Sequence, residues 1–80
     1  MYKVKRTIYL KDRSVDVWFG FVSKNRGKYT VYLLTDDPDR PLNHAEPILN
    51  NVNSVDMGIR RGIAYAKNLL QDIIDNQQQP

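Results

Sequence analysis

From Ser54 to Asn76 the apolar side chains return every third or fourth position. On a wheel of 100° per residue, Ile59, Ile63, Ala66, Leu70 and Ile73 fall within about 80° of Val55, with Leu69 and Ile74 beside them. Arg60, Arg61, Lys67, Asn68, Gln71 and Asp72 take the other side. This pattern predicts one amphipathic helix over about 54–76 that lies on another layer. Asn53 or Ser54 is its cap, and Asp56 suits the positive end of the helix dipole. Gly58 and Gly62 interrupt it at about 1 kcal/mol each relative to alanine. Gly62, at the edge of the stripe, is expected to permit close packing on a sheet; wheel position assigns Gly58 no such role.

The first half of the chain has period two instead. Three strands are expected, at 2–10, 15–23 and 29–35, joined by the polar turn 11–14 and the basic loop 24–28. Gly27 stands where that hairpin loop needs a positive φ. Short turns between successive strands predict an antiparallel meander. Asp36, Asp37, Pro38, Asp39 and Pro41 then stop the sheet. The stretch 36–53 is expected to be an irregular connection, although Ile48, Leu49 and Val52 leave room for a short fourth strand. The tail 77–80 is polar and expected to fray. The fold expected is therefore α+β and two-layered, a three-stranded antiparallel meander packed on one long C-terminal helix in a single domain.

The helix stripe is expected to cover the face carrying Val17, Phe19 and Phe21, joined by Val4, Ile8, Val31 and Leu33; Arg6 intrudes on it. The opposite face then shows Lys3, Lys5, Thr7 and Tyr9, then Asp16, Trp18, Gly20 and Val22, then Thr30, Tyr32 and Leu34. The competing assignment exchanges the faces, since a slip of one residue turns every side chain over.

Composition adds limits. With 80 residues and no cysteine, there is no disulfide and no thiolate metal site to help a small core. Cysteine usage is consistent with a cytoplasmic setting, and no secretory leader or long apolar run is visible. The net charge of +3 is unevenly spread. Residues 1–30 are basic, with Lys3, Lys5, Arg6, Lys11, Arg13, Lys24, Arg26 and Lys28 against Asp12 and Asp16. Residues 31–53 are acidic, and the helix balances.

Two function classes follow from the face that the helix leaves open. Trp18, Val22, Tyr32 and Leu34 form an apolar set of the kind that marks a protein interface, with a partner or in a homodimer. The alternative is a nucleic-acid surface of Lys3, Lys5, Tyr9 and Trp18 with the hairpin tip Lys24, Arg26 and Lys28. There, rings would stack on bases and cations would meet phosphates. A three-stranded sheet backed by one helix resembles, in element order alone, the integrase arm-type DNA-binding domains and, loosely, the HicB class of antitoxins. On that likeness the sheet would enter the major groove. Asp16 on the same face argues against phosphate, and lysines on an edge strand also serve to deter aggregation.

Catalysis is not expected. His44 is the sole histidine, and Ser14, Ser23 and Ser54 sit at turn or cap positions. No nucleophile elbow or phosphate-cradling loop is present. Asp36, Asp37 and Asp39 match no calcium-loop spacing, and His44 with Glu46 makes no zinc site, so neither metal nor cofactor is expected.

Overall fold

The structure is a computed structural model that describes residues 1–77. Its elements are β1 (Tyr2–Tyr9), β2 (Ser14–Ser23), β3 (Tyr29–Thr35), β4 (Glu46–Val52) and α1 (Val55–Gln77). Short 3₁₀ turns lie at Asn25–Gly27 and Leu42–His44. The sheet is antiparallel in the order β1-β2-β3-β4, with the helix packed on it: an α+β fold. Among the described residues, no helix is long and apolar enough to cross a membrane.

Among the described residues the sheet has four strands, not three. What sequence periodicity renders as an irregular connection contains β4 along the outer side of β3, with Val52 opposite Tyr29 and Leu49 opposite Val31. The alternation in β4 is broken twice, because its pairing slips between Tyr29 and Val31 and again between Val31 and Tyr32. Each slip leaves an unopposed residue that shifts the inward–outward phase. Asn51 at the first takes φ 58°, a conformation asparagine tolerates. Pro47 removes one donor, which an edge strand survives. The three-strand likeness to DNA-binding domains therefore does not hold. The helix, expected over 54–76, runs from Val55 to Gln77; of the tail expected to fray, 78–80 lie outside the described residues.

The face assignment is the one read first from the pattern. Val4, Ile8, Val17, Phe19, Phe21, Val31, Leu33, Val52 and Ala66 form the buried core between sheet and helix. Ser54 starts the helix: its Oγ accepts from the Met57 N–H at 3.1 Å and its carbonyl from Gly58 at 3.1 Å. The helix crosses the sheet from the β4 side to the β1–β2 turn. There the Gln71 side chain accepts from the Lys11 N–H at 3.0 Å, and Asp75 lies 3.5 Å from Lys11 Nζ.

The contact line on the helix differs from the expected stripe. Gly58, Gly62 and Ala66, one turn apart, are its buried residues, while Val55, Ile59, Ile63, Leu69 and Leu70 flank them half-buried. A Cβ on Gly58 would stand 2.4 Å from Phe21 Cε2, and one on Gly62 would stand 3.1 Å from Phe19 Cε1. Two phenylalanines project from adjacent inward positions of β2, and only a helix surface without side chains lets the backbone settle over them. This gives Gly58 the role that its wheel position did not suggest.

Candidate functional site

On the face away from the helix, strand pairing sets the side chains in rows. Lys3 is beside Gly20, and Gly20 beside Tyr32; Lys5 is beside Trp18, and Trp18 beside Thr35; Thr7 is beside Asp16, and Val22 beside Thr30. Lys3, Lys5, Trp18, Val22 and Tyr32 are thus brought together. Tyr9, 71% exposed, is six positions along β1 from Lys3, or about 20 Å, and belongs to the other end of the sheet. The hairpin tip lies at the Lys3 end, just past Ser23.

Leu34 corrects the apolar set. It was expected at the open surface, and it is fully buried outside the main core. The pairing of β2 and β3 slips between Trp18 and Phe19, so Leu34 bulges, and Thr35 after it takes φ 56°. The space above Gly20 explains the burial. A Cβ there would meet Met1 Sδ at 2.7 Å and Leu34 Cδ1 at 3.2 Å, so these two side chains close over the glycine. The segment after β3 turns back across the same face, bringing Asp39 to 3.2 Å from Lys3 Nζ. Trp18, Val22 and Tyr32 around this small second cluster are half-buried. Arg40 in that segment donates to the His44 carbonyl at 3.4 Å and buries its Nε without a partner among the described residues.

The electrostatics of the face are more balanced than the charge runs imply. Lys3 has Asp39, and Lys5 has Asp16 at 3.9 Å; Asp16 also accepts from the Thr7 hydroxyl at 2.7 Å. Such exposed pairs contribute up to about 1 kcal/mol each. Their larger effect is local neutralisation of a strand that reads as basic. At the tip, Lys28 donates to the Asn53 side chain. Lys24 and Arg26 are exposed, with no carboxylate paired to them among the described residues. The loop closes through the Lys24 N–H and Lys28 carbonyl at 2.7 Å, and both Arg26 (φ 59°) and Gly27 (φ 72°) are left-handed. The expected positive φ at Gly27 is present; that at Arg26 was not signalled by its residue type.

At the β1–β2 turn the Arg13 guanidinium hydrogen-bonds Asp12 at 3.2 Å through two nitrogens, and this holds the Asp12 carboxyl below its ordinary pKa. Sequence reasoning missed Asp39, whose role depends on how the connection folds back, and the exposed Tyr2 and Arg6 of the β1 edge. Arg6 sits at an inward position in the alternation, and only its place on an outer strand frees it.

Comparison with known proteins returns no match among family models, curated proteins or solved structures.

Proposed function

We infer that the chain is a small non-enzymatic binding module whose far sheet face, around Trp18, Val22 and Tyr32, docks a protein, either a partner or a second copy. One observation carries this reading: Asp39 and Asp16 stand beside Lys3 and Lys5 on a face that keeps three large apolar side chains part open. A phosphate reaching those lysines would meet a carboxylate each time, whereas protein interfaces combine aromatic anchors with locally paired charges.

A photo-crosslinking residue at Val22 or Tyr32 tests it, with Arg60 on the exposed helix face as control. Adducts with a partner or a second copy from the two sheet positions and none from Arg60 are the expected result. Equal adducts from all three positions, or none from any, refute it.

The nucleic-acid alternative rests on a different place, Lys24 and Arg26 at the tip. If it holds, oligonucleotide affinity falls steeply with salt, and neutralising Lys24, Arg26 and Lys28 together weakens all sequences alike. Unchanged affinity in that variant rules it out.

A further inference from the structure

The two edges of the sheet are unlike. β4 carries Pro47 and two slips of register. β1 pairs with β2 from Tyr2 to Tyr9 without a slip and holds no proline, so its outer side is an unbroken ladder.

Which groups face outward follows from the hydrogen bonds at its end. The Leu10 N–H donates to the Arg13 carbonyl at 2.7 Å in the register that continues through β1 and β2. Bonded residues alternate in an antiparallel pair, so Tyr2, Val4, Arg6 and Ile8 turn their backbone toward β2, and Lys3, Lys5, Thr7 and Tyr9 turn theirs outward. Two contacts agree: the Lys11 N–H, next in the outward set, is taken by Gln71, and the Lys5 carbonyl accepts from the Arg6 guanidinium at 2.8 Å. The helix thus closes the ladder at Lys11; from Lys3 to Tyr9 the one outward backbone group with a side chain on it, among the described residues, is the Lys5 carbonyl, from which a guest strand would displace the Arg6 guanidinium.

We propose that this edge pairs with an extended, acidic segment of a protein partner, which adds a fifth strand beside β1. The proposal rests on the protein-binding reading and names the chemistry of the partner. Lys3, Lys5, Thr7 and Tyr9 point to the far face, so the edge continues the surface already described. Arg6, exposed on the helix side of the strand, has no acidic partner among the described residues and stands next to Lys5. A guest strand with a carboxylate on the helix side of its pleat sets it against Arg6, the β1 cation that Asp39 and Asp16 leave unpaired. A second copy is disfavoured: antiparallel pairing that overlaps Lys3 to Tyr9 fully puts Arg6 opposite its own symmetry mate and Lys3 opposite Tyr9, with no carboxylate brought to any cation.

The test uses the full chain, ¹⁵N-labelled, with the peptide acetyl-Thr-Val-Thr-Glu-Asp-Val-Thr-Val-amide and amide exchange as readout. The amides of Lys3, Lys5, Thr7 and Tyr9 should gain about tenfold or more in protection while those of Val4, Arg6 and Ile8 stay unchanged. Arg6→Glu should weaken binding about tenfold and favour the same peptide with lysines in place of its acids. Thr7→Pro removes an outward backbone donor, and with it the hydroxyl that Asp16 accepts from, and should block pairing, while Thr7→Val, which loses the hydroxyl alone, should not. No alternating protection at millimolar peptide overturns the proposal, as does equal protection by the lysine peptide. Protection that grows with protein concentration alone overturns it in favour of self-paired edges. Adducts from Val22 and Tyr32 without edge protection would sink the edge alone; absence of both would sink the protein-binding reading with it.

Discussion

Replacing Gly58 by alanine sets two opposed terms against each other. Alanine raises helix propensity by about 1 kcal/mol. The new methyl would also stand 2.4 Å from Phe21 Cε2 and 3.1 Å from both Phe21 Cζ and Val31 Cγ2. Phe21 is 1% exposed and Val31 fully buried, so neither can swing aside, and the helix itself must lift. Overpacking of this kind costs about 1–3 kcal/mol, and a 2.4 Å approach belongs at the upper end. The net expectation is a loss of about 1–2 kcal/mol. For a domain of this size that lowers Tm by roughly 5–15 °C. Urea unfolding followed by helix circular dichroism and by Trp18 emission measures it. Gly62→Ala, with its nearest contact at 3.1 Å, should change stability by less than about 1 kcal/mol, the two terms nearly cancelling. Phe21→Leu should recover much of the Gly58→Ala loss, because it removes the atoms that clash. A Gly58→Ala protein as stable as the parent would mean that the helix does not rest on Phe21 there, and the packing argument would fail.

Other expectations follow from the far face and the turns. Leu34→Ala should cost about 2–5 kcal/mol, as for a buried core leucine; a cost under about 0.5 kcal/mol by urea titration would return Leu34 to the surface. Thr35 holds a β-branched side chain at φ 56°, so Thr35→Gly should raise stability by about 1 kcal/mol, and a lower Tm would contradict that strain. Asp12 should titrate below its ordinary range and return to it in Arg13→Gln, as read by carboxyl ¹³C shifts. Because its folded pKa is depressed, any stability it lends is present above the unfolded pKa and lost as pH falls through the folded one. Both groups are exposed, so added salt should shrink the shift.

Periodicity made the helix, the three leading strands and the buried face legible, because each is a long run with a single repeat. Residues 46–52 escaped because two slips break the phase and Pro47 and the asparagines at 50, 51 and 53 imitate a loop. Gly58 escaped for a different reason. A wheel scores side chains, and the centre of this contact is where the helix has none. The candidate site was half legible. Strand parity placed Lys3, Lys5, Trp18, Val22 and Tyr32 on one face, but no local signal says that Asp39 folds back to Lys3 or that Met1 and Leu34 close over Gly20. Those depend on the course of the segment between β3 and β4, a long-range outcome.

The glycine line on α1 bears on how the molecule comes together. A helix with two interior glycines gives up about 2 kcal/mol of intrinsic preference, so on its own the segment 54–77 stays mostly coil. The sheet, paired throughout between neighbours in sequence, can zip locally and early. During synthesis Phe19 and Phe21 therefore emerge on a bare sheet and wait for about forty further residues before Gly62 and Gly58 cover them. In that interval the nascent chain is open to chaperones and to its own kind. It also means that the helix winds only against the sheet, so the two layers melt together, and the slowest-exchanging amides of α1 should report the unfolding of the whole domain.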